Sequence, residues 1–120
     1  MKKILILMIF SAFIFSEYSC KKAIEDAIDC TSESIFVVIH ADLDTANFKL
    51  MHFEFDYNPS EGFYLELPIS WNFGDGETIN GSEKIDHVYA AGTYEAVASY
   101  TLKKGSSSCS STSSKHIVIH

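Results

Sequence analysis

"WNFGDGETINGSEKIDHVYAAGTY", residues 71–94, decides how this chain folds. Trp71 and Phe73 stand two apart, the spacing that puts both side chains on one face of a strand. Gly74, Asp75 and Gly76 then reverse the chain: glycine accepts positive φ, and an aspartate in a turn can bond its own downstream amides. The same residue types could instead hold an anion or a cation. A phosphate loop needs a glycine-rich turn opening a helix, with a lysine at its mouth, and "ETINGSEK" offers no such arrangement. Calcium needs several closely spaced oxygens. Asp75, Glu77 and Asn80 could supply some, but there is no EF-hand spacing. The stretch is expected to be a turn between strands, with no metal and no cofactor.

Alternation continues outward from it. In "FYLELPISWNF" (63–73), Phe63, Leu65, Leu67, Ile69, Trp71 and Phe73 fall on one face, with Pro68 expected to break the run or mark an edge. "FKLMHFEFDY" (48–57) places Met51, Phe53, Phe55 and Tyr57 together, and "NPSEG" turns the chain after it. "SIFVVIH" (34–40) suits a buried strand, as do "EKIDHVYA" and "TYEAVASYTL". "KHIVIH" is the expected last strand, reached across "GSSSCSSTSS" (105–114), whose composition reads as a mobile loop. Six or seven short strands without an amphipathic helix imply an all-β, antiparallel β-sandwich. Tyr94, at the start of a strand just after a reversal, is placed to return its hydroxyl to nearby backbone as a tyrosine corner. Ala96 stands where an antibody domain has its inter-sheet cysteine.

The pairing of "WNFGDGE" with "HVYAAGTYEAVASYT" resembles the signature of the PKD (polycystic kidney disease) domain family. Its members carry W-x-F-G-D-G and, after a variable gap, H-x-Y-x-x-x-G-x-Y. Trp71, Phe73, Gly74, Asp75, Gly76, His87, Tyr89, Gly92 and Tyr94 fall on that pattern, while Ala96 and Ala98 replace larger aliphatics. The resemblance implies an immunoglobulin-like sandwich and a role in protein or carbohydrate contact at a cell surface. It carries over no catalytic residue, because the motif builds the fold.

The N-terminus is of another kind. In "MKKILILMIFSAFIFSEYSC", Lys2 and Lys3 precede an apolar run, Ile4 to Phe15, that is shorter than the roughly 20 residues a membrane span needs but suits a secretory signal. Residues 1–19 are expected to be the signal peptide. Cys20, preceded by Ser19, stands where a bacterial lipoprotein signal has its lipidated cysteine, and residues 20–33 read as a lipidated cysteine and polar linker before a domain over 34–120. Tyr18 and Glu17 depart from the lipoprotein pattern, and cleavage after Ser16 is the competing reading. If Cys20 carries lipid, Cys30 and Cys109 remain as an even pair in an oxidising compartment. An immunoglobulin-like topology would bring them to the same end, so a disulfide is expected there, against the alternative of two free thiols.

From Cys20 onward the chain keeps seven lysines against fifteen acids, a net charge of about −8. Such a chain repels nucleic acid, which is not expected as a partner. His40, His52, His87, His116 and His120 invite a metal reading, but the "HIVIH" pair would lie about 13 Å apart along a strand. Ser-rich as it is, the sequence has no G-x-S-x-G elbow. No catalytic residue is expected. The expected function is a non-catalytic, exported, lipid-anchored domain making protein or carbohydrate contacts at the cell envelope, with exposed Tyr57, Tyr64 or Tyr100 as candidate contacts unless the core claims them. The alternative is a structural or accessory subunit docking on a larger envelope protein or a secreted hydrolase.

Overall fold

Strict in–out alternation, set by pleating, tells each strand which side to bury. In β2 (Leu50–Tyr57) Met51, Phe53 and Phe55 are buried, with His52, Glu54 and Asp56 between them directed outward. The same rule runs through most of β1 (Val37–Leu43), β3 (Phe63–Asn72) on either side of one interruption, β5 (Lys84–Val88), β6 (Gly92–Lys104) and β7 (Ser107–Ile119), while the short β4 (Thr78–Gly81) buries no residue fully. This computed structural model describes residues 32–120, and the expected signal peptide, Cys20 and Cys30 lie outside the described residues. The strands form two antiparallel sheets, ordered β1-β2-β5 and β4-β3-β6-β7. The fold is thus the seven-stranded, immunoglobulin-like sandwich expected from the sequence.

Both inner faces contribute to one core, where Trp71, Tyr89, Phe53, Phe55, Phe73, Ile69 and Leu102 are the largest fully buried side chains. Phe53 of one sheet meets Trp71 of the other at 5.7 Å between ring centroids, and Phe55 meets Tyr100 edge-on at 5.0 Å. Aromatic pairs of this geometry add to the stabilisation that burial itself provides. Trp71 lies directly opposite Ala98 in the β3–β6 ladder. The small residues on β6 leave volume for the indole, whose Nε1–H donates to the Ser82 carbonyl at 3.0 Å.

Four local expectations are corrected. Residues Ser34–Phe36 form a 3-10 turn, and β1 begins at Val37. At Pro68 the run breaks as expected: the β3–β6 register shifts between Glu66 and Ser70, β4 pairs only with Ile69–Asn72, and the Leu67–Pro68 peptide is cis. That shift breaks the alternation, so Leu67 is 55% exposed while Ile69 and Trp71 are buried. Residues 78–81, expected to be part of a turn, form the short strand β4 on Ile69–Asn72.

The fourth correction is the largest. The serine run is not a loop: it is the first half of β7, paired residue by residue with β6 from Lys104↔Ser107 to Gly92↔Ile119. A ladder to a neighbouring strand overrides serine's modest strand preference. Gly105, at φ 59°, and Ser106 make the two-residue turn that fixes the register.

Candidate functional site

Asn72, Asp75 and the two glycines shape the β3–β4 turn by themselves. Asn72 Oδ1 accepts from the Gly74 amide at 3.0 Å, Asp75 Oδ1 accepts from the Glu77 amide at 3.1 Å, and the Phe73 amide donates to the Glu77 carbonyl at 3.1 Å. Gly74 adopts φ 81°, and a Cβ there would lie 2.5 Å from the Glu95 carbonyl oxygen. The turn is therefore pressed against β6 at a point where only glycine fits.

β5 delivers His87 to the same turn. Its ring lies flat on Phe73, with centroids 3.8 Å apart, and is 7% exposed. Nε2 stands 2.7 Å from Asp75 Oδ2, while Nδ1 stands 3.4 Å from Glu77 Oε2. Burial of Asp75 works to raise its pKa, but the hydrogen bonds from His87 and the Glu77 amide outweigh it, holding the carboxyl below its usual range. Two residues on, the Tyr89 hydroxyl donates to the Phe73 carbonyl at 2.9 Å, and burial pushes its pKa well up. Tyr94 stacks at a tilt on Tyr89 and donates its hydroxyl to the Ala90 carbonyl, 2.9 Å away and four residues back. Gly92, at φ 153°, leaves room for that hydroxyl, since a Cβ would lie 3.1 Å from it.

The structure thus gathers Trp71, Phe73, Gly74, Asp75, Gly76, His87, Tyr89, Gly92 and Tyr94 along one end of the sandwich. Chemically, an Asp–His pair is half of a nucleophile-activating arrangement, but a third group, a serine or cysteine beside the free nitrogen, is what catalysis needs. Here each ring nitrogen faces a carboxylate. Asp75, Glu77 and His87 also bring potential ligand atoms within 4.8 Å of one another, the group that, among the described residues, could hold a metal ion. The two carboxylates address different nitrogens of a buried, stacked ring, so the shortest approaches do not converge on one point. Asn80 sits on β4, outside this group. The arrangement ties the β3–β4 turn, β5 and the β5–β6 connection together.

The other expected residues are dispersed. Cys109 is half-buried on β7, opposite Leu102 and packed against the core. His40 pairs with Asp56 at 3.1 Å, and His52 is held between Asp44 at 2.9 Å and Asp86 at 2.7 Å. These hydrogen bonds raise the His52 pKa and, with the Ala46 and Asn47 amides, lower that of Asp44. His116 lies opposite Glu95 on β7, and His120 follows that strand. Of the tyrosines offered as contacts, Tyr100 is core and Tyr57 packs on it, leaving Tyr64 half exposed.

Two features were missed from sequence. Glu33, placed in the linker, is buried; it accepts from the Tyr57 hydroxyl at 2.8 Å and the Ser60 amide at 2.7 Å. Phe48, which the sequence places at the start of a strand, lies in the β1–β2 connection and is 69% exposed, at the same end as Leu43 and Val88, which are also exposed. The signal for Phe48 was present: "DTAN" just before it can cap its own amides, and Asp44 and Asn47 do so.

A family model described as the PKD domain matches residues 38–118, which include both sheets and every motif position above. No curated protein matches the chain.

Proposed function

The chain belongs to the PKD domain family, and from that premise we propose that it is a non-catalytic binding domain, tethered to the bacterial cell envelope through a lipidated Cys20, that engages a protein or carbohydrate with its far end. The family is one of extracellular, immunoglobulin-like binding and adhesion domains. Its motif residues here are occupied with one another, and so the contact must come from elsewhere on the surface.

The observation that carries the reading is Phe48. An aromatic ring 69% exposed in a connection with its own hydrogen-bonded frame costs solubility without adding to the core. Val88, 59% exposed, stands opposite Leu50 at the same end of the three-stranded sheet, and Leu43 closes β1 there. The chain enters the domain at the opposite end, through Glu33 and the turn before β1. A tether at that entrance would turn the connections at 44–49, 73–77 and 89–91 away from the membrane.

A bridge between Cys30 and Cys109 fits the same picture. Glu33 accepts from the Ser60 amide, the Ser60 carbonyl accepts from the Phe63 amide, and Phe63 lies opposite Lys104, so the entrance lies near the tip of the β6–β7 hairpin. Three residues of chain span up to about 10 Å, enough to bring Cys30 towards Cys109. In the chain-entropy account such a link would stabilise by roughly 4 kcal/mol.

The test has two readouts. Non-reduced intact mass of the protein from its own cells should show a lipid-modified chain beginning at Cys20 with two hydrogens missing; an unmodified chain beginning at Glu17 refutes the anchor. Binding of the purified chain to isolated envelopes should fall at least about tenfold on Phe48→Ser, the loss of one buried aromatic anchor, with the melting temperature unchanged. Unaltered binding would place the contact elsewhere.

A further inference from the structure

Ile35 and Phe36 are exposed, by 73% and 49%, at the end where the chain enters the domain. They occupy the 3-10 turn before β1, none of whose residues is buried, so they add nothing to the core. Val38, half exposed, continues the apolar patch onto β1. The patch is held in place. Glu33 fixes the turn on one side through the Tyr57 hydroxyl and the Ser60 amide, and the Val37–Tyr57 pair opens the β1–β2 ladder on the other. Adjoining apolar side chains presented to water by a fixed frame mark a contact surface, whereas a lone exposed one would need no explanation.

Reach and charge select the occupant. Thirteen residues separate Cys20 from Glu33, at most about 45 Å of extended chain. A lipid on Cys20 therefore keeps a bilayer surface within range of the turn at all times, and no other surface is within reach of every copy. So short a tether gives an effective concentration of about millimolar, enough to populate a contact too weak to form in free solution. The charges agree. The end remote from the entrance carries Asp42, Asp44, Asp75, Glu77, Asp86 and Glu95, which anionic headgroups repel. At the entrance end the charges nearly cancel: Lys103 pairs with Glu66 at 2.9 Å, and Lys104 is set against Asp56 and Glu61.

We infer that the turn seats on the bilayer that holds the anchor, with Ile35 and Phe36 entering its headgroup region as the apolar face of a membrane-surface helix does. The inference rests on the lipidation of Cys20 proposed above. It adds a second contact, made by the folded domain itself, that fixes how the domain stands and aims the 44–49 connection outward.

The test uses the full chain from its own cells, reconstituted in vesicles of phosphatidylethanolamine and phosphatidylglycerol with and without bromine on the acyl chains. Phe36→Trp places a reporter on the turn, and the parent's Trp71, 1% exposed in the core, supplies the background. Emission of the Phe36→Trp chain should move to shorter wavelength in vesicles and be quenched by bromine, with the parent unchanged. Ile35→Trp gives the same readout independently of how the first variant folds. A chain that floats with the vesicles while neither new tryptophan is quenched keeps the anchor and overturns the contact. A chain that does not float has no anchor, and the contact falls with it. A short-wavelength emission already present without vesicles, in the Cys20→Ser form of either variant, also overturns the contact. It would show the turn to be covered by the chain's own N-terminal segment or, if it grows with concentration, by a second copy.

Discussion

Gly74 is the position where the motif has no latitude. Its φ of 81° and the Glu95 carbonyl 2.5 Å from a would-be Cβ mean that even alanine must move β6. Gly74→Ala should cost at least about 2 kcal/mol, from left-handed strain plus a backbone clash, lowering the melting temperature by roughly 10 °C in a domain of this size. Gly76, at φ 98° with nothing within 4 Å, carries only the strain. Gly76→Ala should cost about 1 kcal/mol. Equal melting temperatures for the two variants would refute the close approach. The W-x-F-G-D-G pattern made the turn legible in the sequence. Which of its two glycines is confined by a neighbour was not, because β6 reaches Gly74 from twenty-one residues downstream.

At the scale of the strands, the outer face of the three-stranded sheet is governed by histidine–carboxylate pairs. His52 is held by Asp44 and Asp86, and its pKa is raised above 6.5. A raised folded-state pKa stabilises fully below the unfolded value and loses that contribution as pH rises through the folded one. Asp44 runs the other way: its lowered pKa contributes above 3.8 and is lost as pH falls through the folded value. The pair therefore works in the window between. The melting-temperature gap between the parent and His52→Gln should be wider near about pH 5.5 than near about pH 9, and a gap independent of pH would show the pairs to be inert.

The strands themselves were largely legible, since alternation in 48–57 and 92–104 reflects one buried and one solvated face. It failed where something non-local intervened. Pro68 displaced Leu67 from the core, and the serine run gave no hydrophobic signal because β7 takes its order from β6. The one local clue to that strand was Gly105–Ser106, a two-residue hairpin turn.

Across the whole molecule, the candidate site was legible as a motif and illegible as a surface. Asp75 can be read from the turn chemistry and His87 from the family resemblance, whereas alternation through 48–57 predicts a strand from Phe48 and β2 begins at Leu50. Glu33 shows the reverse error, a charged residue of the polar N-terminal stretch that is buried and clasps Tyr57 and Ser60. Burial raises its pKa, and those hydrogen bonds more than offset the rise, so its net shift is downward. Glu33→Ala should destabilise by about 1 to 2 kcal/mol at neutral pH, by urea unfolding, and the difference should vanish in acid as the parent's carboxylate protonates.

That the "WNFGDGE" and "HVY" stretch is frame rather than site is tested most directly by melting the full chain in chelator, in millimolar calcium and in zinc. A frame gives coincident curves, with Asp75→Ala lowering all of them alike by about 2 kcal/mol as His87 and the Glu77 amide lose their acceptor. A metal-dependent rise in melting temperature that disappears in Asp75→Ala would make Asp75, Glu77 and His87 a binding site after all.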